Sequence, residues 1–140
     1  MTRRGRTLAA GTGEGEVAPL SEPLSLWGGM DPGTAAIIDP HHPQAGQSLA
    51  GRIVLMPSGR GSSSSSSILA EAVRSGNAPA ALILLHPDPI LALGSIVAAE
   101  LYGRTVPVVV VDQAAYDDIA TSDHATVEAT VDGATIRLGG

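Results

Sequence analysis

The chain has 140 residues and a formal net charge of −6; 44% of it is hydrophobic and 2% aromatic, with no phenylalanine and no cysteine. That length makes one domain with a modest core, and the missing cysteines exclude disulfides and any iron–sulfur or thiolate metal site built from this chain alone. Every basic residue is an arginine; beyond Arg3, Arg4 and Arg6, five arginines stand against fourteen acidic residues, which argues against binding nucleic acid or an anionic membrane.

Residues 1–16 are small, polar and glycine-rich, and read as a flexible leader or as the start of a first strand near Thr7–Ala10. No long apolar segment follows the N-terminal arginines and no stretch reaches bilayer length, so the expectation is a soluble cytoplasmic protein. From Ala18 to Pro43 five prolines punctuate short β segments, Leu24–Trp27 and Thr34–Ile38, joined through Gly28-Gly29-Met30-Asp31-Pro32-Gly33. The sole tryptophan, Trp27, reads as a core or interface plug ahead of a substrate contact. Two adjacent histidines follow, His41 and His42, between Pro40 and Pro43. Their spacing does not suit a helical metal site, and a structural or interface role is expected first.

Ile53-Val54-Leu55-Met56 is a continuous apolar run and predicts a buried strand. Pro57-Ser58-Gly59-Arg60-Gly61 and six serines, Ser62 to Ser67, come next. Ile68, Leu69, Ala72 and Val73 then share one helical face, so a helix is predicted over Ser65–Arg74, stopped by Gly76. Ala80–Leu85 predicts a second buried strand. Ile90–Leu101, apolar on nearly every side, predicts a buried helix. Val106–Val111 predicts a third strand, residues 114–120 a short helix, and Ala125–Val131 with Ala134–Leu138 a hairpin turning at Asp132-Gly133. The middle is thus β-α-β-α-β with a parallel core, flanked by β hairpins: an α/β fold.

Chemistry concentrates where the first apolar strand meets the serine run. A helix start presents unpaired N–H groups and partial positive charge, so it holds an anion or stabilises an oxyanion. A phosphate-binding P-loop needs a lysine, and the chain has none. A dinucleotide fingerprint lacks its third glycine, since Ser64 stands there. No Gly-x-Ser-x-Gly elbow supports a serine hydrolase. What remains is a serine made acidic at a helix N-terminus and acting as a base, or Arg60 holding a carboxylate, or both.

Four stretches in register resemble the swivelling small subunit of the aconitase X family. They are Leu24-Ser25-Leu26-Trp27-Gly28-Gly29-Met30-Asp31-Pro32, Asp39-Pro40-His41-His42-Pro43, Pro57-Ser58-Gly59-Arg60-Gly61-Ser62-Ser63 and Ile90-Leu91-Ala92-Leu93-Gly94. The resemblance implies a swivelling β/β/α fold, like the mobile domain of aconitase, over residues 17–140. It implies a heterodimer in which a separate large subunit carries an iron or iron–sulfur centre, while this chain binds no cofactor or metal. Ser62 maps to the family's proton acceptor. Arg60, Gly61, Ser63 and Ser64 map to the substrate-binding turn, and Trp27, Asp31, His41 and His42 are candidates for interface or substrate contact. Aconitases themselves carry an arginine where Ser64 stands, which counts against a tricarboxylate substrate.

The family implies a hydro-lyase that eliminates water from a hydroxy acid, with the large subunit's iron polarising the departing hydroxyl. The Gly-Arg-Gly-Ser-Ser-Ser run together with Trp27-Gly28-Gly29 resembles the bacterial members acting on cis-3-hydroxy-L-proline. The archaeal phosphomevalonate dehydratase small subunit is the alternative within the family. A non-catalytic anion-binding or carrier module is the alternative outside it.

Overall fold

The computed structural model describes residues 1–59 and 63–139. Eleven elements follow in order: β1 (Thr2–Ala9), β2 (Gly11–Pro19), α1 (Leu26–Gly29), β3 (Ile53–Met56), α2 (Ser65–Ser75), β4 (Ala81–Leu84), α3 (Pro89–Tyr102), β5 (Val108–Val110), α4 (Gln113–Ala120), β6 (His124–Thr130) and β7 (Gly133–Gly139). The strands close into a barrel in the order β1-β5-β4-β3-β2-β6-β7.

The apolar runs predicted as strands are β3, β4 and β5, which pair in parallel, Ile53 with Ala81 and Leu82 with Val108. Because side chains alternate across a strand, each run feeds two cores. Val54, Met56, Leu82, Leu84 and Val108 pack with Leu69, Ala72, Val73 and Leu91 under α2 and α3. Ile53, Leu55, Ala81, Ile83 and Val109 pack with Val127, Ala134 and Ile136 of the antiparallel strands, and with Tyr116 and Ile119 of α4. The layers are therefore helix, parallel sheet, antiparallel sheet. No helix among the described residues is long and apolar enough to cross a membrane.

Three expectations require correction. Residues 1–16 are no leader: β1 pairs antiparallel with β5 and β7, and β2 pairs with β3 and β6, so both complete the barrel. The glycines that suggested flexibility are required by close approach. A Cβ at Gly13 would overlap the Ala80 carbonyl oxygen, one at Gly15 the Gly51 carbonyl oxygen, and one at Gly5 would lie 2.8 Å from the Val110 carbonyl oxygen. In β2 they recur every second residue, so every residue aimed inward is a glycine until Val17.

The N-terminal hairpin is not a ladder. Leu24 makes a single parallel bridge to Gly59, Met30 pairs with Ile37 and Ala36 with Ser48, and Leu26–Gly29 forms a short helical turn broken at Trp27 and Gly28. Finally, α3 is buried on one side only: Leu91, Ala92, Gly94, Ser95 and Ala98 face inward, whereas Leu93, Ile96, Val97 and Leu101 are exposed. The C-terminal hairpin forms, but its two-residue turn is Val131-Asp132, one residue earlier than expected, with Gly133 already paired to Thr130.

The glycine face of β2 generates a test. Gly13→Ala should destabilise the fold by about 1–3 kcal/mol, because the methyl meets backbone that cannot move aside. The outward change Glu14→Ala should stay within about 0.5 kcal/mol. Urea unfolding of the two variants against the parent separates them.

Candidate functional site

On the helix side, the C-terminal ends of β3 and β4 each lead through a short connection to a helix start. After Met56 the connection runs through Pro57 and Gly59 to Ser64, the N-cap of α2. Arg60, Gly61 and Ser62 lie outside the described residues. On either side of them the geometry is defined.

Gly59 is wedged against the start of α3. A Cβ there would overlap Asp88 Oδ2 and lie 3.3 Å from Leu91 Cδ1. Asp88 is the N-cap of α3, its Oδ1 accepting the Ile90 and Leu91 N–H groups at 3.0 and 3.1 Å, with Pro89 in the first turn. Farther along, Gly94 meets α2 backbone to backbone: a Cβ would lie 2.7 Å from the Ser66 carbonyl oxygen and 2.9 Å from its Cα. Two helix starts are thus held side by side. That of α3 is offset by the Asp88 carboxylate, whereas α2 has no acidic residue in its first turn.

The serines divide by position. Ser63 is exposed, and its carbonyl accepts the Ser66 hydroxyl at 2.9 Å. The Ser64 carbonyl accepts the Ser67 and Ile68 N–H groups. Ser65 is buried and its hydroxyl accepts the Trp27 N–H at 3.2 Å. No role attaches to Ser65 when the run is read as six equivalent hydroxyls. The signal was nonetheless present, because Ser65 precedes Leu69 by four residues and Ala72 by seven, on the apolar face of α2.

The remaining candidates separate. Trp27 is 57% exposed, which corrects the core half of its reading as a core or interface plug; its N–H bonds Ser65 in the first turn of α2. Asp31 organises a turn: its Oδ1 accepts the Gly33 N–H at 2.8 Å and its carbonyl accepts those of Thr34 and Ala35. His41 is exposed, with its N–H on Asp39 Oδ1 at 2.9 Å. His42 is buried, and both ring nitrogens are occupied. Nδ1 accepts the Gln44 N–H at 3.1 Å, so Nε2 carries the proton and donates to the Glu22 carbonyl at 3.1 Å. It ties residues 39–44 to the segment ahead of Leu24.

There is no cysteine, and among the described residues no three His, Asp or Glu side chains gather as a ligand set. A surface hollow of about 500 Å³ lined by Glu16, Val17, Arg52 and Asp123 lies at the other end, where β3 begins.

Comparison with known proteins matches residues 2–137 to the aconitase X swivel domain. The chain belongs to that family. It is 49% identical over 115 residues to the cis-3-hydroxy-L-proline dehydratase of Pseudomonas aeruginosa, covering 82% of this chain and 20% of that protein. It is 43% identical over 93 residues to the phosphomevalonate dehydratase small subunit of Methanothermobacter thermautotrophicus, covering 66% of this chain and 71% of that one. The crystal structure of Thermococcus kodakaraensis aconitase X in its holo form superposes with a TM-score of 0.81 at 28% identity, over 100% of this chain and 99% of that one. The three layers are those of a swivel domain. The chain spans only about a fifth of the hydroxyproline dehydratase's length.

The wedge between Gly59 and Asp88 is testable by a double-mutant cycle. Gly59→Ala should cost about 1–3 kcal/mol and Asp88→Ala about 1 kcal/mol. The double variant should be less destabilised than the two costs added together, because removing the carboxylate makes room for the methyl. Thermal unfolding of the four proteins measures the coupling.

Proposed function

We propose that this swivel domain is the small subunit of a hydro-lyase, most specifically of a cis-3-hydroxy-L-proline dehydratase, acting with an aconitase X large subunit. The observation that carries the reading is the edge itself: a strand end, a glycine turn and a helix start without an acidic residue, in a chain 49% identical to such a dehydratase. The helix end favours an anion, which suits a substrate carboxylate and the charge that develops on it when the neighbouring C–H proton is removed.

In this reading Ser62, two residues ahead of the α2 N-cap, is the base. Its alkoxide takes the proton from the carbon next to the carboxylate. The C–H electrons form the new double bond as the C–O bond of the 3-hydroxyl breaks, and the departing hydroxide leaves as water by taking a proton from an acid assigned to the large subunit. The enamine product then tautomerises to Δ1-pyrroline-2-carboxylate. Arg60, Gly61, Ser63 and Ser64 are assigned to the carboxylate, through the guanidinium, the backbone N–H groups and the hydroxyls. No group on this chain is assigned to the departing hydroxyl. That half of the chemistry, and any iron-containing centre, is assigned to the large subunit.

A second reading, the small subunit of a phosphomevalonate dehydratase, is favoured by one observation. The chain covers 71% of such a subunit, a separate chain of comparable size. Assaying the co-expressed pair of subunits on both substrates decides between them. Ser62→Ala should lower turnover by about two to four orders of magnitude while the subunits still co-purify. Full activity of that variant would remove Ser62 as the base. A pair that binds carboxylates yet converts neither substrate would establish a binding module instead.

A further inference from the structure

The helices differ on the sides they turn to solvent. There α2 and α4 carry chiefly polar residues, Ser67 and Arg74 on one, Gln113, Asp117 and Asp118 on the other. The outward side of α3 is apolar: Leu93 is 53% exposed, Ile96 49%, Val97 38% and Leu101 65%. These positions recur at steps of three to four along the helix and form a single stripe. Its direction is fixed by what the opposite side holds. Gly94 meets the α2 backbone at Ser66, and the Ser95 hydroxyl donates to the Val106 carbonyl. The stripe therefore points away from the domain. Glu100, the one charged residue of α3, follows Ile96 by four residues and Val97 by three, so it sits on the stripe too.

We propose that this stripe is the surface on which an aconitase X large subunit seats. The inference rests on the small-subunit reading above and deepens it by naming the contact. Area and charge both choose that occupant over a second copy of this chain. The stripe offers about 400 Å² of apolar surface, the scale of patch that marks an interaction site. Two copies joined through it would bury only about 800 Å² in all, short of the roughly 1,200 Å² of a stable complex. In such a pair Glu100 would also be buried without a cation. The chain has no lysine, and Arg104, just beyond the helix, donates to the Val73 carbonyl at 3.4 Å. A larger partner covers more than the stripe, and the chemistry it needs is an apolar groove with a cationic side chain opposite Glu100. The same lone acidic charge sets a membrane surface aside, because interfacial helices carry lysine or arginine beside their apolar face.

Binding of the chain to the co-expressed large subunit tests the surface. Leu93→Asp and Ile96→Asp should each weaken binding at least about tenfold, because each puts a carboxylate into the apolar centre of the contact. Glu100→Arg should weaken it as well, by setting like charge against the partner's cation. Val131→Asp makes the same kind of change at a side chain 92% exposed on the antiparallel layer, and should leave binding within about twofold. All four positions are exposed, so the variants should unfold at the parent's temperature. A photo-crosslinking benzoylphenylalanine gives a second measurement that needs no loss of binding. Placed at position 93 it should capture the large subunit, and placed at position 131 it should not.

Parent-like binding by both aspartate variants overturns the surface, and so does a crosslink from position 131 but not from 93. A dimer of the chain alone at micromolar concentration, dissociated by Ile96→Asp, would make a second copy the occupant. Sedimentation of the chain alone with phosphatidylglycerol vesicles, lost in the same variant, would make it a membrane. Either result overturns the proposal. If the parent chain binds no large subunit, the small-subunit reading falls and takes this surface with it. If the parent binds and the variants bind equally well, the surface alone falls.

Discussion

At the edge where β3 and β4 end, everything depends on two missing Cβ atoms. Gly59 allows the Asp88 carboxylate to sit against the serine turn, and Gly94 allows α3 to cross α2 at the level of Ser66. Without those approaches the two helix starts would stand apart. The start of α3 carries its own Asp88 cap, whereas the first turn of α2 holds no acidic residue. Electrostatics at this site therefore follows from packing.

The same device recurs on a larger scale in the barrel. Gly13 and Gly15 of β2 let the turns ahead of β4 and β3 pass against its backbone, and Gly5 of β1 does so for β5. Closure buries both faces of the parallel sheet, one against each core. The irregular stretch from Leu20 to Ala50 needs that support. It contributes Leu20, Leu24, Leu26, Met30, Ile37 and Leu49 to the helix-side core, and places Ala35 at φ 58° with no exposure.

What could be read from the residues follows a physical divide. The runs Ile53–Met56, Ala81–Leu84 and Val108–Val110 are apolar throughout because both faces are covered, and such runs are legible without neighbours. So is α2, with its apolar stripe and Gly76 in the left-handed conformation at its end. The first two strands were not legible, since glycine inside a strand signals flexibility unless one knows which backbone lies opposite. The exposed face of α3 was hidden for the opposite reason: its residues are as apolar outside as inside. The strand before the serine run and the helix after it were recognisable, but the hydrogen bond of Ser65 depends on Trp27, 38 residues away. A contact of that range has no local pattern.

Closing the barrel with β1 also brings the two ends of the described chain together. The Leu138 N–H donates to the Met1 carbonyl at 2.9 Å, and Thr2 pairs with Arg137. Both ends lie in the antiparallel layer, on the side of the parallel sheet away from α2 and α3. A polypeptide attached at either end would leave from nearly the same point. Related proteins hold the matching stretch as a fifth of a long chain in one case and as most of a separate subunit in another. With the ends adjacent, a covalent tether and free association ask the same of this domain, and neither arrangement requires rebuilding the turn.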